Sequence, residues 1–131
     1  MKFAPEYVTH VLNENFEDAK ELLLSPLMAI NYAHLVMLAE NGIVSAQEAR
    51  ALRDALNGIS LDRVREVHYD GTYEDLFFYI ERLIVARSGE DVGGRLNTAR
   101  SRNDTDMTMY RMRQREMVLA LTGGTVGPTS R

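Results

Sequence analysis

The sequence contains no cysteine, no surplus of positive charge and no long apolar run. Without cysteine there can be no disulfide, thiolate metal site or cysteine nucleophile, and a reducing compartment is the natural expectation. The 15 Lys and Arg against 19 Asp and Glu give a net charge of -4, which argues against a nucleic-acid partner. No segment approaches the roughly 18 apolar residues of a membrane helix, and the first residues lack the apolar core of a secretory signal. We expect a cytoplasmic protein without membrane or nucleic-acid partners.

Signals for helix starts and stops recur along the chain, and they predict an all-α fold of one modest domain. Ser45 followed by Glu48 has the spacing of a capping box, and Gly58 is a stop signal for the helix that the box opens. Ser60 is expected to cap a short helical turn that runs to residue 67. Two helices joined through Gly42 also outline a DNA-reading helix-turn-helix, but the second helix balances its arginines with acids.

The first helix is predicted to begin near Asn15, after weakly patterned residues 1–14, and to break or kink at Pro26. From 27 to 38 the apolar residues are too dense for an exposed helix, which predicts burial on more than one side. Gly42 should end that helix. His34 lies within it with no second ligand at metal-binding spacing, and we assign it no functional role.

A further helix is predicted to start at Thr72 or Tyr73, with Glu74 and Asp75 in its first turn, and to end at Gly89. The apolar residues between these ends recur at helical spacing, so most of its aromatic side chains are expected in the core.

The chemistry of the chain is concentrated in residues 92–116, VGGRLNTARSRNDTDMTMYRMRQRE. Gly93 and Gly94 would permit unusual backbone conformations and close approach to a ligand. A helix is predicted to begin near Asn103, and its dipole together with Arg100 and Arg102 would favour an anion, with the planar guanidinium groups suited to a carboxylate. The competing interpretation is that these arginines are solvated loop residues and that Asn103 is only a cap.

Residues 93–104, GGRLNTARSRND, resemble the first signature of the argininosuccinate lyases, GG-[KR]-L-H-T-[GA]-R-S-R-N-D, in the fumarase/aspartase superfamily. The resemblance implies an N-terminal helical domain over residues 1–102 and the start of the first long helix of a central bundle over 103–122. The breaker-rich residues 123–131 are expected to be a flexible tail that need not be native. The chain would then be a truncated part of a homotetrameric enzyme, and its uncovered bundle surface predicts self-association.

The same resemblance implies that an amine, arginine, is eliminated from an N-substituted succinate to give fumarate. Ser101, Arg102 and Asn103 would contact this small dicarboxylate substrate. Thr98, Arg100 and Asp104 would position them, with support from Asp75, which matches the family's E-D-[IV]-H stretch. The family's serine loop and the histidine of its middle region do not occur in these residues. We therefore assign no catalytic residue, no metal and no cofactor, and we expect this chain to be inactive alone.

Two positions depart from the family pattern. Phe77 stands in place of the histidine of E-D-[IV]-H, and Asn97 stands in place of the histidine of L-H-T. Because Phe77 can neither donate a hydrogen bond nor carry charge, the departures favour a related carbon-nitrogen lyase that acts on a different N-substituted aspartate. A third hypothesis is a non-enzymatic helical interaction module, like the lens crystallins related to this family.

Overall fold

A computed structural model describes residues 3–125 of the chain, and within that range all regular structure is helical. The helices are α1 (Pro5–Tyr7), a π-helical turn (Val8–Leu12), α2 (Asn13–Leu22), α3 (Leu24–Glu40), α4 (Ala46–Asn57), α5 (Leu61–Glu66), α6 (Leu76–Ser88), α7 (Glu90–Arg95) and α8 (Arg102–Thr125). The predicted all-α class is confirmed.

Several helix ends lie where the sequence predicted them. The amide of Glu48 donates to Ser45 Oγ at 3.2 Å and the amide of Ser45 donates to Glu48 Oε2 at 2.7 Å, so the capping box is complete. Ser60 caps α5 through its hydroxyl. After α3, Gly42 has φ +65°, and the amides of Gly42 and Ile43 reach back to the carbonyls of Ala39 and Leu38. This pair of bonds satisfies the carbonyls that the end of α3 leaves open.

The N-terminal boundary prediction was wrong. Helical structure begins at Pro5, and α2 begins at Asn13 rather than near Asn15. The chain does break ahead of α3, but at Leu23 and not at Pro26. Pro26 lies in the first turn of α3, where an amide would have no partner within the helix, so its missing N–H costs little. The weak patterning of residues 3–14 therefore did not reveal the helical segment that precedes α2.

The helix α3 is central to the fold, because it packs against α2, α4 and α8. Burial on several of its sides was predicted from its dense apolar sequence and is confirmed. Its buried side chains are Leu24, Pro26, Leu27, Met28, Asn31, Leu35 and Leu38. The opposing core comes mainly from α4 and α6, with Leu52, Leu56, Leu76, Ile80 and Ile84.

An aromatic cluster joins α2 to the segment before α6. The Phe16 ring is fully buried and lies 5.4 Å from the rings of both Tyr69 and Tyr73, and 5.8 Å from that of Tyr79, measured between centroids. Beside it, the buried ammonium of Lys20 donates to the carbonyl of Val67 at 2.6 Å. These contacts fix the long connection between α5 and α6, which carries Asp75.

The predicted start of α6 was also wrong. The helix begins at Leu76, and Asp75 is its N-cap, with Oδ1 accepting from the amide of Phe78 at 3.2 Å. An acid fits both the first turn and the cap position, so composition alone could not separate these two placements. As a cap, Asp75 has an extended backbone, and its second carboxylate oxygen meets Arg102.

The last helix is longer than expected at both ends. It begins at Arg102 and continues through Gly123 and Gly124 to Thr125, whereas the sequence predicted residues 103–122. Residues 126–131 of the expected tail lie outside the described residues. Residues 114–124 are all exposed, so the second half of α8 extends away from the rest of the fold.

Among residues 3–125, no single helix is long and apolar enough to cross a membrane. The stretches Pro5–Leu22 and Leu24–Glu40 have the length and composition of a membrane span only when they are taken together, and the chain bends by 71° at the break between them.

Candidate functional site

The loop of residues 96–101, here called the arginine loop, connects α7 to α8. Ser101 is the cap of α8: its Oγ accepts from the amide of Asn103 at 3.2 Å, while its own amide donates to Asp104 Oδ2 at 3.0 Å. The cap is thus Ser101 and not Asn103, the residue named as a cap in the competing interpretation. The two bonds of Ser101 fix the direction in which α8 leaves the loop.

Arg102 is held by two carboxylates. Its Nη2 donates to Asp75 Oδ2, and its Nε donates to Asp106 Oδ1 at 3.1 Å. The guanidinium carbon lies 5.0 Å from the centroid of the Phe77 ring and 5.5 Å from that of Phe78. Partial burial opposes the charge, but the hydrogen bonds and attraction from Asp75 and Asp106 outweigh it and raise the pKa of Arg102. Arg102 is therefore a charged residue with two of its donors engaged within the chain.

Arg100 belongs to a second polar group, which also lies beside Phe77. Its Nε and Nη2 donate to Asn97 Oδ1 at 3.3 and 2.8 Å, and the Asn97 amide donates in turn to Glu81. The Arg100 guanidinium carbon is 5.8 Å from the centroid of the Phe77 ring. Burial lowers the pKa of Arg100, and the charge of Glu81 acts against that change. The two residues that depart from the family pattern, Phe77 and Asn97, thus both contact Arg100.

The seven predicted site residues do not all meet in one place. Asp75 and Arg102 lie together, whereas Arg100 is bound to Asn97 instead. The side chains of Thr98, Ser101, Asn103 and Asp104 are exposed around the start of α8. Their contact with a substrate stays a prediction.

A cavity of about 500 Å³ lies between α2, α8 and the start of α6. Arg102 and Arg113 contribute its positive charges, while Asp18, Asp75 and Asp106 contribute three carboxylates. Acids outnumber the guanidinium groups in this cavity, and Arg100 does not line it, so the anion site expected from Arg100 and Arg102 stays a prediction. A dicarboxylate would require further positive groups.

Three contributors to the site were not identified from sequence. Asp106 lies four residues after Arg102, a helical spacing that could have identified it. Glu81 gave no local signal, since its partner Asn97 is 16 residues away. His34, which we assigned no role, has its Nε2 2.8 Å from the carbonyl oxygen of Thr98 and so joins α3 to the arginine loop.

Gly93 is required for helix packing rather than for ligand approach, which corrects the prediction. A Cβ at Gly93 would lie 2.8 Å from Val85 Cγ2 and 2.9 Å from its Cα, whereas a Cβ at Gly94 would meet nothing within 4 Å. We expect Gly93→Ala to destabilise the fold by about 1–3 kcal/mol through overpacking. Gly94→Ala should be neutral or stabilising by up to about 1 kcal/mol. Urea unfolding followed by circular dichroism compares the two, and equal midpoints would contradict the packing argument.

Ala99 has φ +61°, a left-handed conformation that is costly for a residue with a side chain. The family pattern accepts glycine at this position. We expect Ala99→Gly to stabilise the fold by about 0.5–1 kcal/mol, because glycine adopts this conformation without the steric penalty. Thermal unfolding measures the change, and Ala120→Gly, on the exposed part of α8, should instead destabilise. A loss of stability in Ala99→Gly would argue against the left-handed conformation.

Comparison with known proteins identifies the family of the chain. No family model matches the chain. It is 43% identical over 121 residues to "Argininosuccinate lyase 2" of Agrobacterium fabrum, an alignment that covers 90% of this chain and 24% of the relative. It is 36% identical over 97 residues to "Argininosuccinate lyase 1" of Shouchella clausii, an alignment that covers 74% of this chain and 20% of the relative. It is 40% identical over 92 residues to an argininosuccinate lyase of Methanosphaerula palustris, where the alignment covers 70% of this chain and 19% of the relative.

The chain spans about a quarter or less of the length of these relatives. The matches agree with the resemblance of residues 93–104 and with the all-helical fold. By sequence, the chain belongs to the argininosuccinate lyases of the fumarase/aspartase superfamily and corresponds to an N-terminal portion of them.

Proposed function

We propose that this chain is the N-terminal part of a cytoplasmic carbon-nitrogen lyase that eliminates an amine, arginine in the first instance, from an N-substituted succinate to give fumarate. The observation that carries the proposal is the 43% identity to the Agrobacterium fabrum relative over 121 residues, an alignment that covers 90% of this chain. The 131 residues alone are expected to be inactive, because they contain none of the groups that the resemblance implies for proton transfer.

In this proposal the exposed polar groups at the start of α8 contribute to substrate binding. Ser101 and Asn103 present short polar side chains beside the first turn of a 24-residue helix, whose dipole favours a carboxylate even though Ser101 Oγ already accepts from the amide of Asn103. Arg102 adds positive charge at the same end, but Asp75 and Asp106 offset it. Other segments of the assembled enzyme would supply the remaining cationic groups, and Asp75 would act by holding Arg102 in place.

A chimera tests the proposal. Residues 1–122 would replace the matching segment of the Agrobacterium fabrum relative, and fumarate release from argininosuccinate would be followed by ultraviolet absorbance. We expect activity in the chimera and none in the 131-residue chain. Turnover by the chain alone would refute the claim that it lacks the catalytic groups, and a folded but inactive chimera would count against this substrate.

Asn103→Ala in the chimera tests the binding role of the α8 start. Asn103 is exposed, so its truncation should leave the fold intact while lowering kcat/KM about tenfold or more, the scale of a lost hydrogen bond to a charged group. Arg111→Ala is the matched control, since Arg111 is exposed on the same helix and should not change the activity. If the chain were an interaction module without enzymatic function, neither substitution would change the activity of the chimera.

A second candidate is a related lyase that acts on a different N-substituted aspartate. The observation that favours it is that Phe77 and Asn97 both contact Arg100. The phenyl ring of Phe77 cannot make the polar contact that an imidazole makes, so a substrate amine recognised through that contact would bind less well. In the chimera, Phe77→His combined with Asn97→His should raise the preference for argininosuccinate over other N-substituted aspartates. An unchanged preference would remove this candidate.

We also propose that copies of the chain associate, as part of a homotetramer in the full-length enzyme. The second half of α8 exposes Met117, Val118, Leu119 and Leu121 at 58–69% of their surface, so it carries a broad apolar patch. Light scattering over a range of concentrations tests this. A monomer mass at every concentration would contradict it.

A further inference from the structure

A second, very small cavity lies beneath the arginine loop. Its volume is about 10 Å³, and its walls come from α3, α6, α7 and the loop itself. The polar residues in its lining are Asn31, Glu81, Asn97 and Arg100, and the remainder is apolar or glycine. It is separate from the larger cavity beside Arg102.

Two buried polar atoms belong to residues of this lining and have no hydrogen-bond partner among the described residues. They are Oδ1 of Asn31, whose residue is 2% exposed, and Nη1 of Arg100. One is an acceptor and the other is a donor. Leaving a buried group of either kind unpaired costs about 1–3 kcal/mol, and more where the group is charged. Each of these atoms therefore calls for a polar partner that the described part of the chain does not supply.

We propose that the cavity holds one internal water molecule. A volume of about 10 Å³ is close to the smallest that admits a single water, and a buried water requires two to four polar partners. The water would accept from Arg100 Nη1 and donate to Asn31 Oδ1, and its second hydrogen would point toward the carboxylate of Glu81. The guanidinium repels a cation such as ammonium, and the Glu81 carboxylate repels an anion, so the site selects a neutral molecule.

This water completes a chain of hydrogen bonds from the core of the fold to the arginine loop. The chain runs from Asn31 on α3 through the water to Arg100, then through Asn97 to Glu81 on α6. Nε and Nη2 of Arg100 donate to Asn97, so the water provides a partner for Nη1, the third nitrogen of the guanidinium. Arg100 is then a positioning residue that fixes the loop from beneath, a role independent of the proposed lyase reaction.

Water-to-amide nuclear Overhauser measurements on the wild-type chain test the proposal directly. A water with a long residence time should give cross-peaks to the amides of Gly93 and Leu96, which line the cavity. Hydrogen exchange of the amides of residues 96–101 supplies a second readout. Asn31→Leu, which removes the acceptor at similar volume, should abolish the cross-peaks and speed exchange in the loop about tenfold, the scale of one unpaired buried donor.

Asn57→Leu is the matched control. It removes the bond from the Tyr32 hydroxyl to Asn57 Oδ1 at an exposed position and should leave both readouts unchanged. Absence of the cross-peaks in the wild type would overturn the proposal, as would a crystal structure in which Asn31 Oδ1 bonds directly to Arg100 Nη1. The wild-type measurement decides the matter even if Asn31→Leu fails to fold.

Discussion

Phe16→Ala is expected to lower the free energy of unfolding by about 4 kcal/mol, the largest effect of any substitution considered for this chain. Phe16 is fully buried and contacts the rings of three tyrosines, so its removal leaves a cavity and also breaks ring-to-ring contacts. Small domains have only about 5–15 kcal/mol of stability in total. The variant should therefore be close to unfolded at temperatures that the wild type tolerates.

Urea unfolding followed by circular dichroism measures this loss. Phe3→Ala provides a matched control, because Phe3 is a half-buried aromatic residue near the N-terminus whose ring lies 6.2 Å from that of Tyr7. It should cost no more than about 1 kcal/mol, as is usual outside the core. If the two variants unfold at the same urea concentration, the aromatic cluster does not hold α2 to the segment before α6.

Arg102→Met is expected to destabilise the chain by about 2–3 kcal/mol. The substitution leaves the carboxylates of Asp75 and Asp106, whose side chains are 19% and 22% exposed, without their common partner. Removing one member of a buried ion pair costs about 3–5 kcal/mol, and the 35% exposure of the Arg102 side chain reduces that figure through solvent screening. The effect arises from two uncompensated charges rather than from the loss of one attractive contact.

A combination of variants separates these causes. Adding Asp75→Asn and Asp106→Asn to Arg102→Met should recover part of the lost stability, because the unpaired charges are then gone while an asparagine in place of Asp75 can still cap α6. Arg65→Met is the control, since Arg65 pairs with Asp62 at the surface and should change stability by about 0.5 kcal/mol or less. A triple variant less stable than Arg102→Met alone would refute the explanation.

Local signals in the sequence predicted the fold well where a single residue determines a helix end. The capping box at Ser45 and the stop at Gly42 act within a few residues of themselves, so their placement needed no knowledge of the rest of the chain. Asp75 was misplaced because an acid suits both the cap and the first turn of a helix, and its ion pair with Arg102, which is 27 residues away, gave no local signal. Likewise, Gly93 was interpreted as a point of ligand approach, although glycine is needed there because the backbone of Val85 on a neighbouring helix leaves no room for a Cβ.

In the candidate site, too, local sequence signals predicted some features, while others depend on contacts between distant residues. The signature around Arg100 and Arg102 identified the family, and the comparisons confirm that assignment. Asn97 and Asp106 lie within four residues of the arginines that they bind, so local spacing could have indicated them, whereas Asp75 lies 27 residues from Arg102 and becomes its neighbour only after folding. Electrostatic balance depends on distances between elements, and no local pattern encodes those distances.

The length of α8 has a mechanical consequence for the arginine loop. Its 24 residues extend for about 36 Å at 1.5 Å per residue, and the cap that begins it is Ser101 of the loop. An isolated helical segment as short as its exposed second half is only marginally ordered in water. Because α8 is one continuous helix, a partner that binds its last turns would order the whole helix. Association at that end would therefore restrict the motion of the arginine loop, where the helix begins.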